Sequence, residues 1–192
     1  MLDEVSRGRP TPASHLRLVN AQDDAASSAR EPRTFDECFL RYHRMVATVG
    51  CRILGYNADI DDFVQDVFLE VHRSFASLSK PEAVGGWIRV IAVRVAMRRA
   101  RRHRVRMALG LDKIFETDTV SVDASQEDAA LLDRLYRTLD KMPAQSRVCW
   151  VLRHLEGEKI DDIAMLTNLS RSTVKRHLTK ATVILQQVFD DS

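Results

Sequence analysis

Apolar residues recur at helical spacing along most of this 192-residue chain. Phe35, Phe39, Tyr42, Val46 and Val49 mark one face of a helix opening at Thr34, whose side chain and that of Glu37 form a capping pair. Gly55 and Asn57 signal its end. From about Asp59 to Phe75 a stronger stripe follows, Ile60, Phe63, Val64, Val67, Phe68 and Val71, with the acids on the opposite face. Residues 77–86, rich in Ser, Pro and paired Gly, predict a loop. A third helix spans Trp87 to about Arg104, with Ile88, Ile91 and Val95 inward.

Periodicity fades over residues 107–128, where acids dominate, and returns near Ala129. Leu131, Leu132, Leu135 and Leu139 stripe a fourth helix. Pro143 predicts the first position of a fifth, where its missing N–H costs nothing, and Val148, Val151, Leu152 and Leu155 stripe it. Gly157 fits a C-cap. Two short-range patterns then follow closely. Ile160, Ile163 and Ala164 line one helix, and Val174, Leu178, Ala181 and Leu185 the next. Thr167 to Ser170 form the turn between them, in which Asn168 tolerates the left-handed conformation and Ser170 is an N-cap. This is a helix-turn-helix, with Ala164 small where the two helices touch.

Seven glycines, five prolines and few aromatics favour helices over sheets, so the fold class is all-α. The pattern divides into a mobile tail (1–33), a first helical domain (34–106), a flexible acidic linker (107–128) and a second domain (129–192) that ends in the helix-turn-helix.

Net charge is only +2, but its distribution is uneven. Arg89, Arg94, Arg98, Arg99, Arg101, Arg102, Arg104 and Arg106 fall between 87 and 106 with no acid among them, a footprint for a polyanion. Asp59, Asp61, Asp62, Asp66 and Glu70 occupy a segment without a basic residue. Two oppositely charged surfaces imply two different partners. On the last helix Arg171, Ser172, Thr173, Lys175, Arg176 and His177 offer donors suited to phosphates and base edges.

Cys38, Cys51 and Cys149 are odd in number and lack Cys-x-x-Cys spacing, which argues against disulfides or a zinc site. The first residues lack a signal-peptide pattern, and no apolar run approaches a membrane span. A cytoplasmic protein without membrane insertion, cofactor or metal is expected. Asp62 and Asp66 lie one helical turn apart, but no histidine or Gly-rich phosphate loop accompanies them, so no catalytic residue is assigned. His43, His72 and His154 are read as surface or packing residues.

Four segments carry a family resemblance. Asp59-Ile-Asp-Asp-Phe-Val-Gln-Asp-Val-Phe68 is similar to D-x-E-D-L-V-Q-E-V-F, and Trp87-Ile-Arg-Val-Ile-Ala92 to W-L-x-x-I-A. Met142-Pro-Ala-Gln-Ser-Arg147 matches L-P-x-x-x-R, and Thr173-Val-Lys-Arg-His177 stands for T-V-K-S-R. In this order the chain resembles the extracytoplasmic-function (ECF) sigma factors of bacteria, over about residues 34–104 and 129–188. The resemblance implies a subunit that binds core RNA polymerase at the clamp helices of its largest subunit and at its flap region, and directs it to promoter DNA. Asp61, Asp62, Gln65 and Asp66 would dock on the clamp. Ser79, Lys80, Trp87, Arg89, Arg94, Arg98 and Arg101 would meet the opened -10 element, with a flipped base held by the loop at 77–86. Arg171, Ser172, Thr173, Lys175, Arg176, His177 and Lys180 would read the -35 element. An anti-sigma factor is the further partner implied.

Two departures are notable. Many members have Asn and Asp where this chain has Arg94 and Arg98, and Ser and Arg where it has Arg176 and His177. The competing reading is a helix-turn-helix regulator that binds an operator without docking on polymerase; it leaves the order of acidic helix, loop and arginine helix unexplained.

Overall fold

The computed structural model describes residues 32, 34–55, 58–75, 84–110 and 126–190, the side chains of 126–129 and 189–190 excepted. These residues form seven α-helices and no strand: α1 (Phe35–Leu54), α2 (Ile60–Phe75), α3 (Val84–Ala108), α4 (Gln126–Lys141), α5 (Ala144–His154), α6 (Ile160–Thr167) and α7 (Arg171–Asp190). The fold is all-α. The expected tail apart from Pro32, most of the 77–86 loop with Ser79 and Lys80, Asn57, and linker positions 111–125 lie outside the described residues. Pro32 itself is buried.

The expected capping pair starts α1. Thr34 Oγ1 accepts from the Glu37 N–H at 3.2 Å, and the Glu37 carboxylate accepts from the Thr34 N–H at 3.3 Å. Gly55 ends the helix at φ 87°, a conformation open to glycine, with its N–H donating to the Cys51 carbonyl. Asp59 caps the start of α2 by accepting from the Asp62 N–H at 2.9 Å.

Helices α1, α2 and α3 form one unit, centred on Phe63, which is fully buried. Gly50 lets α2 approach: a Cβ there would stand 2.5 Å from the Phe63 ring. The same device moves the start of α3. Residues 84–86 were expected in the loop, yet they are helical because Val84 is fully buried and Gly85 packs where a Cβ would meet the Tyr42 ring at 2.9 Å. At its other end α3 continues to Ala108, four residues past the expected Arg104. Its outer turns carry exposed arginines, and long arginine stems add helical surface at little propensity cost.

In the second unit α5 is central, with Val148, Cys149, Val151 and Leu152 fully buried. Burial pushes the Cys149 thiol up to about 12, leaving it an unreactive core group. Leu131 and Leu155, expected in the stripes, are exposed over 55% and 36% of their surface, and Leu139 is the fully buried leucine of α4. Pro143 caps α5 from outside, at ψ 133°, instead of taking its first helical position. The chain leaves α5 two residues before Gly157, which takes φ 72° in the connection to α6.

The two units are packed together. Helix α3 touches α5 and α6, and the end of α1 reaches α5. Helix α3 is therefore buried on two sides, against α1 and α2 on one and against the second unit on the other.

Candidate functional site

The turn between α6 and α7 has the geometry its sequence predicts. Asn168 sits at φ 57°, ψ 39°, left-handed, and Ser170 Oγ accepts from the Thr173 N–H at 3.2 Å. Val174, Ala181 and Leu185 are buried and fix the roll of α7. Arg171, Ser172, Lys175, Arg176 and Lys180 are exposed. Two expected members of this face stand apart from it. Thr173 is half-buried, with its hydroxyl 2.8 Å from that of Ser170. His177, also half-buried, turns toward α5, its Nδ1 3.0 Å from the buried Ser146 hydroxyl. Burial, then the neighbouring Arg176 and Lys180 charges, lower its pKa. The face is also not free of acids, since Asp161 of α6 pairs with Arg171 at 2.7 Å across two exposed side chains.

The two oppositely charged surfaces expected from the sequence meet in the first unit. Helices α2 and α3 are neighbours and their charges pair along the seam. Arg99 donates to Asp66 through Nε at 2.9 Å and Nη2 at 2.5 Å, and to the Asp62 carbonyl at 2.9 Å. Its guanidinium lies 5.8 Å from the Phe63 ring centre. Arg98, one of the departures from the family pattern, pairs with Glu70. Asp61, Asp62 and Gln65 remain exposed on α2, with the exposed Leu69 beside them.

Arg94 and Arg101 of α3 are exposed, whereas Trp87 is half-buried against the core. Arg89 is engaged in the second unit, 3.0 Å from Glu156 and 2.5 Å from Glu158. Arg52 of α1 reaches the same Glu156 at 2.5 Å. Sequence reading missed Arg52, Glu156 and Glu158, whose only local signal is a pair of acids flanking Gly157.

Among the described residues no helix is long and apolar enough to cross a membrane. Residues 38–106 match the sigma-70 region 2 family, and residues 132–183 match the sigma-70 region 4 family. The chain is 28% identical over 162 residues to the ECF RNA polymerase sigma factor SigM of Mycobacterium tuberculosis, covering 84% of this chain and 80% of that protein. It is 24% identical over 161 residues to the ECF RNA polymerase sigma-E factor of Escherichia coli, covering 79% and 84%. The RNA polymerase sigma-H factor of Pseudomonas aeruginosa is 26% identical over 161 residues, 79% of this chain and 83% of that protein. Among solved structures, the sigma factor RpoE in complex with the anti-sigma factor NepR from Bartonella quintana shares the fold. Its TM-score is 0.58 at 18% identity, over 81% of this chain and 96% of that one.

Proposed function

We propose residue-level roles for this chain, which belongs to the sigma-70 family as an ECF RNA polymerase sigma factor. It is a transcription initiation factor and not an enzyme. In our reading residues 34–106 bind the clamp helices of core polymerase and the opened -10 element. Residues 129–192 bind the flap region and the -35 element.

The observation that carries the assignment is the exposed row Arg171, Ser172, Lys175, Arg176 and Lys180 on α7, presented by a left-handed turn at Asn168. A second helix so held offers its first two turns to a major groove. Arg171 and Arg176 are the side chains suited to bidentate base contacts, and Lys175 and Lys180 to phosphate. His177 acts by holding α7 on α5 through Ser146. Trp87, Arg94 and Arg101, with Ser79 and Lys80 of the loop, serve the -10 element; Arg98 contributes a charge already shared with Glu70. Asp61, Asp62 and Gln65 form the clamp contact, and Asp66 orients α2 through Arg99. An anti-sigma factor partner and a cytoplasmic location complete the reading.

Mixing the chain with bacterial core polymerase that lacks any sigma factor tests it. A stable complex that starts transcripts at discrete sites on the source genome's DNA is expected. DNA binding without polymerase binding would return the chain to the class of plain regulators. Within that assay, Arg171→Ala or Arg176→Ala is expected to cost about 1–3 kcal/mol and to relax one promoter position more than the rest. A uniform loss across promoter variants would assign that arginine to phosphate instead.

A further inference from the structure

One ion pair lies on the face that α7 presents, and it ties α7 to α6. Asp161 Oδ1 stands 2.7 Å from Arg171 Nε, with 63% of the aspartate side chain and 70% of the arginine side chain exposed. A pair this open to solvent adds little to stability, since its attraction is screened and ordering the arginine costs entropy. The dipole of α6 favours acids in its first turn, Asp161 and Asp162 alike; the contact with α7 sets Asp161 apart. Its effect is to hold the far end of an arginine whose near end is already held. Ser170 caps α7, its Oγ accepting from the Thr173 N–H and its carbonyl from the Val174 N–H at 2.9 Å, which fixes the backbone at Arg171. Asp161 is fixed in turn, because its neighbour Ile163 is fully buried and donates its N–H to the Lys159 carbonyl at 2.9 Å.

A guanidinium carries its N–H donors in a rigid planar fork. A carboxylate against Nε takes the side edge of that fork and leaves Nη1 and Nη2 together at its end, the pair that fits O6 and N7 of a guanine. Arg176, exposed on the same face, has no such tether among the described residues. We propose that Asp161 is a positioning residue for promoter recognition, which presents the Nη edge of Arg171 to a guanine and sharpens the base preference there without itself touching DNA. The inference rests on the base-reading role given to Arg171 above. A side chain held in its binding geometry loses less freedom when the base arrives. Entry into the groove also removes water from the pair, so the attraction strengthens where the base is read. The same carboxylate opposes the neighbouring phosphates, so it adds discrimination and no general affinity.

The test uses the chain bound to core polymerase and a pool of promoters randomised through the -35 element, with the bound promoters sequenced. Arg171→Ala locates the position that Arg171 reads, and Arg176→Ala the position of Arg176. Asp161→Asn is expected to lower the guanine preference at the first position about three- to tenfold. The preference at the second position is expected to stay unchanged, and binding of the same complex to random duplex to hold or tighten. In the Arg171→Ala background, Asp161→Asn is expected to change the preference at no position. If Arg171→Ala relaxes one position and Asp161→Asn leaves it intact, the inference falls and the base-reading role of Arg171 stands. Equal relaxation at both positions, or weaker binding to random duplex, would make Asp161 a structural residue of the turn and overturn its positioning role. A change that persists without Arg171 would place Asp161 on the base and overturn it as well. A uniform loss in Arg171→Ala would remove the base-reading role and the inference together.

Discussion

Core RNA polymerase is expected to bind the Asp61→Lys/Asp62→Lys chain at least about 100-fold more weakly than the unaltered chain, because like charges set against each other across an interface cost several kcal/mol. Both carboxylates are exposed in the first turn of α2. Neither makes the seam with α3. That seam uses the Asp66 carboxylate and the Asp62 backbone carbonyl, which the substitutions leave in place. Asp59 still caps the Asp62 N–H. The loss of two acids at a helix N-terminus costs stability of about 0.3–1 kcal/mol each, so the melting transition should fall only slightly. Titration of labelled chain with core polymerase measures the affinity, and the helical circular dichroism of the free chain serves as the control that should not change. If polymerase affinity is retained, the docking surface lies elsewhere than on α2. Reversal at Asp66 would be a poorer test, since it breaks the pair with Arg99 and confounds docking with fold.

The difference between Asp62 and Asp66 shows where the sequence was informative and where it was not. Local signals were read well: the Thr34 and Glu37 pair, the left-handed Asn168 and the Ser170 cap each depend on residues within three or four positions of one another. Periodicity likewise revealed which face of α2 points inward. It could not reveal which helix lies across a seam. Asp66 meets a residue 33 positions away, and Arg89 one 67 positions away. A run of arginines looks the same from sequence whether the guanidinium groups face solvent or reach along their apolar stems to an acid on a neighbour. Arg94 does the first, Arg98, Arg99 and Arg89 the second. His177, expected on the solvent-facing side, is half-buried for a related reason. It lies at the edge between the buried row of Val174 and Ala181 and the exposed row of Lys175 and Arg176, and only the buried Ser146 hydroxyl on α5 decides which way the ring turns. The glycines of residues 85 and 86 suggested a loop because local composition favours one. The requirement that Gly85 meets is set by Tyr42, on another helix, whereas a Cβ at Gly86 would meet nothing within 4 Å.

Phe63→Ala is expected to cost about 3–5 kcal/mol, a large share of the roughly 5–15 kcal/mol by which a domain is stable. The upper part of that range is favoured, since the ring is fully buried and lies against Gly50, which has no side chain to move into the space. The ring also underlies Arg99, so its removal loosens the pair that orients Asp66 and, with it, the acidic face of α2. Gly50→Ala tests the same contact from the other side. Its Cβ would stand 2.5 Å from the ring, and overpacking of this kind costs about 1–3 kcal/mol. Phe63→Leu removes part of the ring, so the Gly50→Ala/Phe63→Leu chain should lose less stability than its two single changes added together. Such coupling between neighbours amounts to about 0.5–3 kcal/mol. Urea unfolding of the four chains measures it, provided the slopes with denaturant agree. Strict additivity would mean that Gly50 and Phe63 do not pack against each other, and α2 would then sit on α1 in some other register.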